Sequence, residues 1–413
     1  MLADAVIQVE FAWRHDGLLR VLGPDGMNLA HLPVNVLGYV AFVPLYWLTP
    51  RRWRGAFLWV SSLAWTLVVL GAPVTAGLAA AAGVGWAAMR VGQRRGSAAV
   101  AAMILGVPFA TILAGSLALP RDERLGLYFL LHMFGGAYLL LRVYQVAREV
   151  TGGRLARPRP GDYLAYALFG PTLRLGPLYR AEDFLAQLRG RPPRFEMAWL
   201  RPAAGRLLTG AVRFGGCLLL LERFPPHEVF MAPGRLGTWT LLAGVYAQPA
   251  MLYLVFSGYT DWAVGLGRLM GFRVPENFRR PWLAASVRDF WRRWHITLGG
   301  WLREQVYIPL GGNRRHVDLN YLVTFGFCAV WHGLCVSYMI WAAAQAAALS
   351  IERWWRRRRP HDPAQDRRSS ARRVTVRTAG WLVTVNFEVW SIAVFMDTAH
   401  AGRRFLTALL ASS

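Results

Sequence analysis

Two histidines carry the most chemistry in this sequence. His332 is the one side chain that titrates near neutral pH within the apolar stretch Leu319 to Ser350. Desolvating an ionisable group without a partner is costly, so an isolated one in such a stretch marks a functional site by default. A neutral imidazole there suits removal of a proton from a hydroxyl, the work of a general base. The bland alternative is a histidine hydrogen-bonded between helices. His295 lies within RDFWRRWHITLGGWLREQVYIPLGGNRR, Arg288 to Arg315, and its type fits an interfacial histidine as well as an active-site one. Asp289 precedes Arg292 and Arg293 by three and four residues, the spacing of an ordinary helical ion pair.

The elements that must position these groups follow from composition. Of 413 residues, 55% are hydrophobic and only 17% charged, with 19 tryptophans. The apolar residues gather in long runs, which excludes a disordered chain and argues against a water-soluble globule. All 47 basic residues are arginine and the formal net charge is +24. Those arginines sit between apolar runs, so they read as topology and lipid-headgroup signals and not as a nucleic-acid surface. Cys217, Cys328 and Cys335 have no metal-ligand spacing and indicate neither a disulfide framework nor a zinc site. Asp4, Glu10 and Asp16 interrupt the N-terminal apolar residues, unlike a cleaved signal peptide, so the N-terminus is expected to be retained.

Pro33 to Thr49, Ser97 to Leu119, Leu125 to Leu141, Leu207 to Leu221, Leu236 to Gly258 and Thr378 to Met396 are candidate membrane spans. Ala56 to Met89 is too long for one crossing and is expected to split at Gly71, Ala72 and Pro73. Leu319 to Ser350 must tilt, bend or break near Gly333. A weaker candidate lies between Tyr163 and Tyr179. The expectation is an all-α polytopic membrane protein of roughly nine to eleven embedded helices. Clusters at Arg51 to Arg54, Arg90 to Arg95 and Arg142 to Arg159 follow alternate spans, which places those loops in the cytoplasm and the N-terminus outside. The Arg-, Pro- and Ser-rich stretch Arg353 to Arg373 reads as a cytoplasmic loop. Between Arg288 and Arg315 the pattern changes to aromatic, basic and polar together, as in a re-entrant or interfacial unit. Its Phe290, Trp291, Trp294 and Trp301 are expected at the headgroup level and its arginines to snorkel or face a wet cavity. Gly299 and Gly300 are expected to end or kink its helix, and Pro309, Gly311 and Gly312 to end the next piece.

SGYTDWAVGLGRLMGFRVPENF (Ser257 to Phe278), DFWRRWHITLGGWLREQVYIPLGGNR (Asp289 to Arg314) and VWHG (Val330 to Gly333) resemble the membrane-bound O-acyltransferase family. FGPTLRLGPLYR (Phe169 to Arg180) adds to the likeness, which is dense over residues 168–341 of a single membrane-embedded domain, 1–413. The branch resembled contains the alginate O-acetylation subunit and the D-alanyl transfer protein of teichoic acids. The resemblance implies helices around a central tunnel in a bacterial inner membrane, with His332 at the catalytic centre and His295 as the second family histidine. Trp331 beside His332, with Arg292, Arg293, Trp294 and Asn313 of the re-entrant unit, then become supporting or tunnel-lining candidates. Asp261 reads as a structural buried acid whose expected partner is Arg268 or a re-entrant arginine.

No tightly bound cofactor is implied. The donor would be acetyl-CoA or another acyl thioester. The acceptor would be an extracytoplasmic glycan, reached directly, through a periplasmic or extracellular partner transferase, or with an acyl carrier protein as donor. The chain departs from that branch at Leu334 and Cys335, after the histidine, and at Glu388 and Asp397, which put acids near a region that would face acceptor or partner. Those departures keep a catalytically silent membrane scaffold open as an alternative. A transporter would carry repeats and several intramembrane charges, and the sequence has two isolated histidines and no evident repeat.

Overall fold

The computed structural model describes residues 27–101, 103–104, 136–190, 196–225, 229, 236–332, 336–358 and 370–396. Asp4, Glu10, Asp16, Leu334, Cys335 and Asp397 lie outside the described residues. So do 359–369 of the arginine-rich stretch and most of the expected spans Ser97 to Leu119 and Leu125 to Leu141. Among the described residues there is no strand, and helices carry the whole fold. Three of them have the length and apolar character of a bilayer crossing, Val74–Arg95, Met197–Arg223 and Thr238–Leu269.

The chain divides into two compact units, the first chiefly Asp25–Gly215 with Val255–Pro275, the second chiefly Gly216–Leu254 with Glu276–Ser413. In the first, α1 (Met27–Leu48) packs on α2 (Arg54–Arg95), which also packs on α3 (Gly136–Thr151) and α4 (Pro160–Ala167). Gly71 breaks α2 with φ 81° and ψ 175°, a conformation glycine adopts without steric cost, so the long apolar run splits where the sequence places Gly-Ala-Pro. Tyr163 of α4 donates to the Ala82 carbonyl of α2 at 2.7 Å. A shorter helix, α5 (Ala181–Arg189), follows.

Two long helices, α6 (Leu200–Arg223) and α7 (Thr238–Leu269), contribute residues to both units. Within the first unit they cross on small residues. A Cβ on Gly210 of α6 would lie 2.4 Å from the Trp262 ring and 2.8 Å from the Gly258 carbonyl oxygen of α7. Glycine at this crossing lets the backbones approach as membrane helices do when packing replaces the hydrophobic effect. The Trp262 indole N–H donates to the Leu207 carbonyl at 2.9 Å across the same contact. Asp261, 2% exposed, is an ion-paired structural acid as expected, but its partners differ from the expected ones. It binds Arg206 at 2.6 Å and Arg213 at 2.5 Å, neither Arg268 nor a re-entrant arginine. The two arginines lie seven residues apart on α6, two turns that bring both guanidinium groups to one face.

In the second unit, α10 (Val317–His332), α11 (Val336–Arg358) and α12 (Ser370–Met396) pack in chain order, with the short α8 (Val287–Trp291) against α11 and α12. The next piece, α9 (Ile296–Leu302), runs into a π-helical turn at Arg303–Tyr307. Turns follow from residue 308, where Pro309, Gly311 and Gly312 stand. The break inside Arg288 to Arg315 is not at the glycine pair, because Gly299 and Gly300 sit within α9. It falls at residues 292–295, where His295 takes up φ 44° and ψ 51°. Phe290, Trp294 and Trp301 are 2%, 7% and 4% exposed, so these rings are core and not headgroup anchors. The physical reason is their company: Phe290 and Trp294 stack at 5.5 Å between Trp282 and Phe278, and burying aromatic surface in mutual contact outweighs placing it at an interface.

Candidate active site

His295 is held by a local design that starts at Ser286, whose hydroxyl accepts from the Asp289 N–H at 3.2 Å and starts α8. The helix lasts five residues, and a tight turn brings the chain back along 277–279. There the Arg279 N–H donates to the Arg293 carbonyl and the Ile296 N–H to the Asn277 carbonyl, both at 2.9 Å. Between these two clamps His295 adopts a left-handed conformation that costs a non-glycine residue energy and that surrounding structure must impose.

Asn277 fixes the ring as well as the backbone. Its Oδ1 accepts from the Thr297 N–H at 3.1 Å and from the Thr297 hydroxyl at 2.9 Å, which identifies that atom as oxygen. His295 Nδ1 lies 3.1 Å from the same oxygen and must therefore donate. Burial at 5% exposure pushes the imidazole pKa below its ordinary value, since the charged form would lose hydration. His295 is thus neutral, protonated at Nδ1, with the Nε2 lone pair as its accepting atom. The cause is burial and not the neighbouring arginines, since Arg292 is exposed and Arg293 pairs with Asp289 at 2.9 Å.

His332 ends α10 and is half-buried, the less enclosed of the two histidines, contrary to its apolar sequence surroundings. Its ring stands edge-on to Trp331 at 4.6 Å, Tyr338 at 6.2 Å and Trp341 at 6.4 Å. Gly333, near which an interruption is expected, lies outside the described residues, between α10 and α11.

The two histidines are joined by continuous ring packing. His295 meets Phe278, Phe278 meets Trp294, Trp294 stacks on Phe290, Phe290 meets Trp291, and Trp291 meets Trp341 against His332. Trp291 is fixed in turn by hydrogen bonds. Its indole N–H donates to Gln345 Oε1 at 2.9 Å, and Gln345 Nε2 donates to Glu388 Oε2 at 2.9 Å and to Ser391 Oγ at 3.0 Å. Glu388, expected on a face toward an acceptor or partner, is 1% exposed and tied into this network.

Of the other candidates, Trp294 is buried in the ring chain and Trp331 flanks His332. Asn313 is exposed and accepts from the Tyr307 hydroxyl at 2.8 Å. Asp261 belongs to the first unit and serves its helix crossing. Sequence reasoning assigned no role to Asn277 or Gln345. For Asn277 the available signal was an amide in the otherwise matched PENF, at the edge of the aromatic stretch; Gln345 is the polar residue in an alanine-rich span.

Residues 137–386 match the family described as MBOAT, membrane-bound O-acyltransferase. The chain is 30% identical over 323 residues to a probable alginate O-acetylase AlgI of Pseudomonas fluorescens, covering 76% of this chain and 63% of that one. It is 39% identical over 201 residues to a peptidoglycan O-acetyltransferase of Helicobacter pylori, 46% of this chain and 37% of that one. A teichoic acid D-alanyltransferase of Bacillus subtilis is 28% identical over 247 residues, 54% of this chain and 61% of that one. The match to a probable alginate O-acetylase AlgI of Pseudomonas putida covers only 39% of that protein's length.

Proposed function

The chain belongs to the membrane-bound O-acyltransferase family, and from that premise we propose that it transfers an acyl group, acetyl in the first instance, from a cytoplasmic thioester to hydroxyls of a cell-envelope glycan. The observation that carries this reading is the pair of histidines within the matched region, one ringed by aromatics and one locked in a single tautomer. In this reading His332 takes the proton of the acceptor hydroxyl as its oxygen attacks the thioester carbonyl. The tetrahedral intermediate collapses with cleavage of the C–S bond, and the imidazolium returns the proton to the departing thiolate. His295, neutral and fixed by Asn277, supports that centre, and Trp331 Nε1 is a candidate donor to the developing oxyanion.

Acetyl-CoA is the proposed donor, and the bacterial inner membrane the proposed location. The match to a D-alanyltransferase favours one second reading, an acyl group delivered by a carrier protein. The chemistry at His332 is the same in both.

The test is turnover of purified protein, together with any partner it needs, with His332→Ala. Loss of a general base costs about 10² to 10⁴ in rate. Transfer is expected to fall by that factor with donor binding intact, and near wild-type transfer by His332→Ala would end this reading. Comparing envelope glycans of deletion and wild-type strains by mass spectrometry identifies acyl group and acceptor.

A further inference from the structure

Arg142 of α3 is 1% exposed, a guanidinium enclosed within the first unit. Its Nη2 donates to the Thr172 carbonyl and, at 2.6 Å, to the Thr172 hydroxyl. Its Nε and Nη1, three further N–H donors, are buried with no acceptor among the described residues, and no carboxylate there pairs with it. A second arginine, Arg174, shares with Arg142 the electrostatic reach of the Tyr259 hydroxyl. Tyr166 and Tyr39 add hydroxyl groups beside one arginine or the other.

The same unit treats other arginines differently. Arg206 and Arg213 keep 35% and 31% of their side chains exposed and share the carboxylate of Asp261. Arg142 is more deeply buried and has no such acid among the described residues. Water could accept from its spare N–H groups but would leave the positive charge uncompensated, and an unpaired buried charge is what proteins avoid most. The ligand that answers both needs is an anion. Donors on Nε and Nη1 point in different directions around the guanidinium plane. A phosphate brings the compensating negative charge and several acceptor oxygens, so that one can take an N–H of Arg142 while another reaches a second donor.

We propose that Arg142, with Arg174 and the Tyr259 hydroxyl, forms a binding site for a phosphate group carried by an anionic phospholipid or by the acyl donor. The donor source rests on the acyl-transfer reading; the lipid source does not.

Full-length protein in uncharged detergent is titrated with phosphatidylglycerol and, separately, with coenzyme A. Diacylglycerol and pantetheine serve as phosphate-free counterparts. One phosphate-bearing probe is expected to bind, and Arg142→Gln to weaken it at least about tenfold, the scale of one lost charge-assisted contact. Arg356→Gln, an exposed arginine paired with Glu352 on one helix face, should leave binding unchanged. Binding of phosphatidylglycerol identifies the lipid source, and binding of coenzyme A the donor. Equal binding of both phosphate probes by wild type and Arg142→Gln overturns the site. Should Arg142→Gln fail to fold, Arg142→Lys, which keeps the charge and loses the fork, takes its place. A wild type that distinguishes neither phosphate probe from its counterpart overturns the site without any variant. Binding needs no turnover, so this result is independent of whether His332→Ala abolishes transfer.

Discussion

Asn277 holds three donors on one oxygen, the Thr297 N–H, the Thr297 hydroxyl and His295 Nδ1–H. Replacing it with alanine would strand buried donors at a cost of about 1–3 kcal/mol each. Asn277→Ala is expected to lower the thermal midpoint and to reduce kcat with little change in KM, because the imidazole loses its fixed tautomer; an unchanged kcat would show that the tautomer does not matter. His295 also predicts a pH dependence. Its pKa is depressed in the folded state, so above the ordinary histidine value, about 6.5, both folded and unfolded forms are neutral and stability is flat. Below that value the unfolded chain takes up a proton that the folded one refuses, and stability falls as pH falls. Wild type should lose up to about 1.4 kcal/mol per pH unit more than His295→Gln between roughly pH 6 and 5, and parallel curves for the two proteins would contradict the burial argument.

The α6–α7 crossing and the break at residues 292–295 are decided by how close elements can come. Gly210 meets the Trp262 ring, whereas a Cβ on Gly205, five residues earlier on α6, would meet nothing within 4 Å. Gly210→Ala should therefore destabilise by about 1–3 kcal/mol through overpacking. Gly205→Ala should be neutral or stabilise by up to about 1 kcal/mol through helix propensity. Thermal unfolding of the two variants side by side checks the pair, and equal midpoints would refute the close crossing. At the break, α8 and α9 have five and seven residues, roughly 8 and 11 Å of helix, well short of a hydrocarbon core of about 30 Å. They position His295 and do not carry the chain across a bilayer.

At the scale of the molecule, arginine placement fixes the expected orientation. Arg356, Arg357 and Arg358 close α11, and more arginines stand before α12. By the positive-inside rule this connection is expected to face the cytoplasm. A cysteine introduced at Ser369 should resist an impermeant thiol reagent in intact cells and react in inverted vesicles; labelling in intact cells would reverse the topology. The chain spans between about two fifths and two thirds of the length of the relatives described above.

Composition and run length were enough to indicate a helical membrane protein, because burial in lipid demands long apolar segments whatever their neighbours are. The kink at Gly71 was legible for a similar reason, since backbone freedom is a property of the residue itself. His332 stood out as an ionisable side chain in an apolar stretch, and the family motifs lay in contiguous sequence. What escaped the sequence depended on partners distant along the chain. Asp261 chose Arg206 and Arg213 over the nearer Arg268 because a crossing helix presented both on one face. The aromatic residues between Phe278 and Trp294 turned inward because they had one another to bury against. The tautomer of His295 hung on an amide 18 residues away. Hydrophobic run length and glycine geometry are local, while counter-charges, ring packing and proton placement are set by three-dimensional neighbours, which only the tertiary structure supplies.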